Sequence, residues 1–316
     1  MSPPKNNLLL LVGPTAVGKT EFSLHLAQRL QGEIVSADSR QIYRYMDIGT
    51  AKPTIQQREQ IRHHFVDVVD PDAYFSAGEY GRQSRRVIDA LFRKGCVPIV
   101  VGGSGLYIRA LVDGFFDPFV HDNEVRENLQ RRMKEWGPKP LHAELMTIDP
   151  ETAGRIHPND TQRILRALEV HEITGRPLSL IQRESRGVMP AFEPLFIGLT
   201  MSRPVLYERI DRRVDDMMKK GLVDEVQNLV TMGYDRTLNA MQTVGYQEVF
   251  SYLGGEVDLE EAVRLVKRNS RHYAKRQLTW FSKDRRVTWF DVKEDESIDS
   301  IIDRILDVYT TAGKRK

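Results

Sequence analysis

The octet Gly13-Pro14-Thr15-Ala16-Val17-Gly18-Lys19-Thr20 constrains this chain more than any other feature. It has G-x-x-x-x-G-K-T spacing and stands between an apolar run, Leu8 to Val12, and an amphipathic segment, Glu21 to Leu30. In a strand–loop–helix setting, the backbone N–H groups of such a loop converge on an anion at the helix N-terminus. Lys19 adds a point charge, and the Thr20 hydroxyl is placed to ligate Mg²⁺. The residues Gly13 to Thr20 are therefore expected to grip a di- or triphosphate.

Further short apolar runs read as buried parallel strands: Glu33 to Ser36, Phe65 to Val68, Val97 to Val101, Leu195 to Thr200 and Val287 to Phe290. Helical patterns separate them, among them Ser76 to Lys94 with Ser76 and Glu79 spaced as a capping box. The alternation predicts an α/β fold with a doubly wound parallel sheet of the P-loop NTPase kind. Between about Phe115 and Pro190 the strand signal stops, and capped helices replace it at Asp122 to Glu135 and Asp160 to Thr174, the second ending at Gly175. The expected organisation is a core of 1–114 and 191–316 interrupted by an all-helical insertion domain at 115–190. Helices at Arg203 to Lys219, Leu222 to Thr231, Ala240 to Leu253 and Leu259 to about Lys283 would pack around that core.

Composition excludes several classes. The single cysteine, Cys96, rules out internal disulfides and a cysteine metal cage, and reads as a small core residue in a reducing compartment. No apolar run approaches the length needed to cross a bilayer, so a cytoplasmic protein is expected. No long apolar surface asks for a second copy, which points to a monomer. His63 and His64 are adjacent and diverge, and the other histidines lack ligand spacing, leaving Mg²⁺ on oxygen ligands as the expected metal. Net charge is +2, yet residues 261–286 carry nine Lys/Arg against Glu261 and Asp284. That local excess suits a polyanion such as nucleic acid, although a solvated helix face accounts for it equally well. Tyr273, Trp280 and Phe281, interleaved with Arg271, Lys275 and Arg276, read as core-facing aromatics beneath cations that meet phosphates.

A P-loop ATPase needs a second acid at the end of a later strand. Here Val97 to Val101 runs into Gly102-Gly103-Ser104-Gly105, without a carboxylate. The second strand instead ends in Ser36-Ala37-Asp38-Ser39-Arg40-Gln41, and strand C-termini in such sheets face the ligand crevice. From position alone, Asp38 could be a general base, an indirect Mg²⁺ partner or a helix N-cap.

These stretches are similar to the tRNA dimethylallyltransferases. The resemblance runs through Gly13 to Thr20, Ser36 to Pro53, His63 to Pro71, Val101 to Gly114, Arg155 to Val170, Met241 to Glu248 and Lys275 to Phe281. Ser104 stands where the family usually has Thr, keeping the hydroxyl. The resemblance implies transfer of a dimethylallyl group from dimethylallyl pyrophosphate to N6 of the adenosine at position 37, beside the tRNA anticodon. It also implies that Lys19, Thr20 with Mg²⁺, and Arg213 stabilise the departing diphosphate, that Asp38 is the base, and that Ser104 assists. Contacts to the anticodon stem-loop are implied for Asp38, Ser39, Arg40, Gln41, Ser104, Arg126, Gln162, Arg163, Ile164, Leu165, Arg166, Met241, Gln242, Thr243, Val244, Gly245 and Tyr246. The same residues have plainer readings: Arg126, Gln162, Arg163 and Arg166 as the wet side of helices whose Ile164, Leu165 and Leu168 are core. Two other functions compete, a P-loop nucleoside or small-molecule kinase and a non-enzymatic RNA binder with a nucleotide switch.

Overall fold

A computed structural model describes residues 7–114, 122–184 and 192–312. Strands β1 (Asn7–Val12), β2 (Gly32–Ser36), β3 (His63–His64), β4 (Val97–Gly102), β5 (Glu193–Thr200) and β6 (Val287–Asp291) form one sheet in the order β3-β2-β4-β1-β5-β6. Every pairing is parallel, with Leu10 opposite Val100 on one side and Phe196 on the other. All six residues of β1 and all six of β4 are buried, as expected of central strands covered on both faces.

The helices are α1 (Lys19–Leu30), α2 (Ile55–Gln60), α3 (Ala77–Arg93), α4 (Gly105–Arg109), α5 (Asn123–Trp136), α6 (Pro138–Ile148), α7 (Pro150–Ala153), α8 (Thr161–Thr174), α9 (Leu178–Glu184), α10 (Arg203–Lys219), α11 (Leu222–Thr231), α12 (Tyr246–Leu253), α13 (Leu259–Phe281) and α14 (Ile298–Ala312). Among the described residues, none is long and apolar enough to cross a membrane. Two compact units emerge. Of the described residues the first comprises 7–75, 83–108 and 192–312, and its core packs Leu9, Leu11, Ile99, Ile197 and Leu199 of the sheet against Phe22 and Leu26 of α1 and Ile301, Ile302 and Ile305 of α14. The second comprises 76–82, 109–114 and 122–184; Leu129, Leu141, Leu145, Ile164 and Leu168 form its centre. It thus takes in the first turn of α3 and residues 109–114 together with the described helices of 122–184. Its helices are stopped and started by local chemistry: Asp122 and Asp160 accept N–H groups at the N-termini of α5 and α8, and Gly175 ends α8 with φ 68°.

Four sequence expectations need correction. The run Phe65 to Val68 does not continue the sheet; the ladder with β2 stops at His63–His64 because Phe65 and Asp67 turn into left-handed backbone with φ 63° and 56°, and beyond them Val69 makes only an isolated parallel bridge to Tyr43. The helix expected from Ala240 is broken, since a 3-10 turn at Ala240–Gln242 is followed by an extended Thr243 and by Gly245 at φ 101° before α12 begins. Cys96 is half-buried at the end of a turn, with Sγ 3.6 Å from the Gln31 carbonyl, rather than a core residue. Of the α13 aromatics only Phe281 lies in the core; Tyr273 is half-buried and Trp280 is 41% exposed.

Candidate active site at the C-terminal edge of the sheet

The loop Gly13 to Gly18 leaves β1 where its backbone passes against β5: a Cβ on Gly13 would lie 2.6 Å from the Leu199 carbonyl oxygen. Gly13 and Gly18 take φ of 149° and 103°, and Ala16 accepts φ 65° between them. This curls the chain so that Lys19 Nζ donates to the Gly13 and Pro14 carbonyls at 2.9 and 2.7 Å. Lys19 and Arg213 are each half-buried. Burial lowers the Lys19 ammonium to about 7, against the pull of the Asp38 carboxylate and aided by the Arg213 charge. Burial likewise lowers the Arg213 guanidinium, partly offset by Asp38. Two cations partly withdrawn from solvent beside a helix N-terminus form a site whose chemistry suits an anion.

A cavity of about 510 Å³ opens there, lined by Gly18, Lys19, Thr20, Asp38, Gln41 and Arg213 among others. A second, of about 250 Å³, shares Thr15, Ala16, Asp38, Thr50 and Arg213 with it. Its far wall is apolar, from Ile210, Val214 and Met217 on one face of α10 and Val266 on α13. Asp38 lines both spaces. No α-helix starts at Asp38, so the N-cap reading fails; its Oδ1 instead accepts the Arg40 N–H at 2.8 Å and fixes the turn after β2.

The turn after β4 is tied to the turn after β2. Ser104 N–H donates to the Ala37 carbonyl at 3.2 Å, and Ser104 Oγ accepts the Ser39 N–H at 2.9 Å. Tyr273 reaches the same hydroxyl from α13. Burial, with Asp38 nearby, pushes its phenol up to about 12. Tyr273 was expected in the core; it lines the smaller cavity instead.

The sequence profile described as IPP transferase matches residues 41–284. The chain belongs to the IPP transferase family. It is 47% identical to the tRNA dimethylallyltransferase of Acetivibrio thermocellus over 309 residues, covering 98% of this chain and 99% of that one. It is also 47% identical to that of Thermotoga maritima over 285 residues, covering 90% and 92%. Among solved structures, the full-length tRNA isopentenylpyrophosphate transferase of Bacillus halodurans matches with a TM-score of 0.71 at 42% identity, over 98% of this chain and 99% of that one. A eukaryotic dimethylallyltransferase acting on tRNA matches with a TM-score of 0.80 at 27% identity, over 95% and 77%.

Within this IPP transferase, the residues expected to meet RNA are deployed in different ways. Around the cavities, Arg40 Nη1 donates to the Asn239 carbonyl at 2.7 Å, while Gln41 Nε2 turns toward the Thr50 and Ala51 carbonyls. Thr243 Oγ1 donates to the Ala240 carbonyl, and Gly245 N–H donates to Glu248. Gln242, Thr243 and Val244 line the smaller cavity, but the Met241 and Tyr246 side chains are wholly buried. Tyr246 serves Glu225, which sequence reasoning missed: this carboxylate accepts the Tyr246 hydroxyl at 2.5 Å and the N–H groups of Asp47, Ile48 and Gly49.

In the second unit of the IPP transferase, Arg126 Nη1 and Arg166 Nη1 both donate to Glu169, at 3.1 and 2.9 Å, and Arg126 also donates to Gln162. Glu169, 1% exposed, is the hidden anchor that holds these arginines side by side. Gln162 and Arg163 are exposed, whereas the Ile164 and Leu165 side chains lie in the core.

Proposed function

We propose that this chain transfers a dimethylallyl group from dimethylallyl pyrophosphate to N6 of adenosine 37 in tRNA. One observation carries the reading: the cation-lined phosphate cavity, the Asp38 carboxylate and an apolar wall border one continuous set of residues. The loop amides, Lys19 and Arg213 bind the diphosphate and take up the charge that develops as the C1–O bond breaks. Ile210, Val214, Met217 and Val266 receive the hydrocarbon and exclude water, which would otherwise capture a cationic allylic carbon. The exocyclic amine of adenine is a feeble nucleophile, so Asp38 takes its proton as the N6–C1 bond forms and diphosphate leaves. Ser104 and Tyr273 orient the acceptor from the opposite side.

Mg²⁺ fits this donor set. It favours oxygen ligands, keeps several waters, and is usually held by one or two protein oxygens plus phosphate. The Thr20 hydroxyl and Asp38 carboxylate line the same cavity. When bound, it would neutralise diphosphate charge. Reaching an adenine amine requires the nucleotide to leave its stack. Arg40, Gln242, Thr243 and Val244 near the cavity, and Arg126, Gln162, Arg163 and Arg166 on the second unit, are the proposed tRNA contacts, in the cytoplasm where tRNA is modified.

The test is incubation of the purified protein with labelled dimethylallyl pyrophosphate, Mg²⁺ and unmodified tRNA, followed by nucleoside analysis. Label in N6-dimethylallyladenosine is expected; label that stays out of the tRNA overturns the reading. Asp38→Ala should keep tRNA affinity and lose turnover by a factor on the order of 10² to 10⁴, an outcome that a simple RNA binder would not show.

A further inference from the structure

Gln277 has no part in the chemistry just described, yet its side-chain amide is held at both ends. It is 5% exposed, one turn before the C-terminal end of α13. Its Oε1 accepts the Thr15 N–H of the phosphate loop at 2.8 Å, and its Nε2 donates to the Gly103 carbonyl at 3.1 Å. One partner is a donor and the other an acceptor, so the two ends of the amide cannot be exchanged. The fit is close: a Cβ on Gly103 would lie 2.0 Å from Nε2, and one on Gly105 would lie 2.2 Å from Trp280 Nε1. Tyr273, Gln277 and Trp280 fall on one face of α13 at spacings of four and three, and that face presses on the turn Gly103-Ser104-Gly105.

We infer that Gln277 is a positioning residue that sets the register between the half of the site that holds the diphosphate and the half that holds the accepting amine. The path is continuous. Thr15, whose hydroxyl also accepts from Arg213 Nη1 at 3.2 Å, is bound to Gln277; Gln277 is bound to Gly103; Ser104 follows and accepts the N–H of Ser39, next to Asp38. Attack across the two halves demands reacting atoms about 3–3.5 Å apart, and a displacement of about 1 Å can cost 10²-fold. A single buried amide that spans both halves fixes that distance. It also consumes the Thr15 N–H, so this loop offers its anion the later amides only.

The inference rests on the transferase reading, and the two fail differently. In single-turnover transfer, with full-length enzyme saturated in dimethylallyl pyrophosphate and tRNA, Gln277→Met should be slower by about ten- to hundredfold while both affinities stay within about threefold. No transfer by the unaltered protein sinks the transferase reading. Normal transfer by Gln277→Met, or a loss explained wholly by weaker substrate binding, sinks the positioning role. Gln277→Glu separates positioning from folding. A protonated carboxyl can accept from Thr15 and donate to Gly103 as the amide does, whereas a carboxylate faces the Gly103 oxygen with no proton to give. The ratio of variant to parent rate should therefore climb toward one as pH falls from about 8 to about 6, since burial raises the carboxyl pKa. A ratio that does not change with pH overturns the inference even if Gln277→Met is too unstable to assay.

Discussion

The phosphate loop and α13 frame the same cavity by opposite means. The loop is a local device: eight consecutive residues, with glycines at φ 149° and 103°, bring their own amides and the Lys19 ammonium to one point. α13 is a distant strut whose Tyr273, Gln277 and Trp280 become meaningful only because Gly103, Ser104 and Gly105 lie beneath them. A local device fails by losing its charge, whereas a strut fails by losing its fit, and the two failures have different readouts. Lys19→Met should produce the larger effect, weakening pyrophosphate binding by about ten- to hundredfold, as expected for hydrogen bonds worth about 1.5–3 kcal/mol to a charged group. tRNA binding should hardly change. Parallel loss of both in a titration would mean that the loop is not a separate donor site.

Gly103→Ala tests the strut from the other side. The added methyl must displace a buried amide and the helix behind it, so overpacking should cost about 1–3 kcal/mol of stability. Transfer should slow by about tenfold through the Ser104 turn. Denaturant unfolding together with single-turnover rates would check this. A variant of full stability and full rate would show that α13 does not govern the turn.

The same contrast explains how much was legible beforehand. The loop, β1, β2, β4 and Asp38 at the end of β2 could be read because spacing and strand order are properties of short stretches. Expectation failed where a distant partner decides the outcome. Tyr273 and Trp280 have the spacing of a core-facing stripe, but the surface they meet is a glycine turn bordering a cavity, so they stay partly exposed. Met241 to Tyr246 reads as one contact segment in sequence, yet Glu225 draws the Tyr246 hydroxyl inward and leaves Gln242 to Val244 at the cavity. Glu169 gave only a weak signal, a carboxylate among the apolar positions of α8. Its role depends on Arg126 from another helix.

Protonation sharpens the loop's side of the contrast. With a folded value near 7 against 10.5 for a free lysine, Lys19 binds fewer protons in the folded protein than in the unfolded chain between about pH 7 and pH 10.5. Its contribution to stability therefore rises with pH across that window. Donor binding runs the other way, because a diphosphate needs the ammonium charged. Affinity for pyrophosphate should fall about fivefold from about pH 7 to about pH 8, with proton uptake on binding. Calorimetry in buffers of different ionisation enthalpy reads both, and Lys19→Met should abolish the uptake. Binding without uptake at about pH 8 would mean that the amine is already charged in the empty loop.

The smallest effect concerns the outward side of α13. Its cations looked alike in sequence, yet Arg271 Nη1 donates to Asp211 at 3.1 Å and Lys267 pairs with Asp215 at 2.6 Å, whereas Lys275 is exposed. A cation already matched to a carboxylate neutralises less phosphate charge, because the pair must be broken or shared when RNA arrives. Lys275→Ala should therefore make the slope of log tRNA affinity against log salt shallower by about one. Arg271→Ala should change it less. If Arg271→Ala flattens the slope and Lys275→Ala leaves it intact, the phosphate-facing side of α13 is the side that carries Arg271, and the Asp211 pair opens on binding.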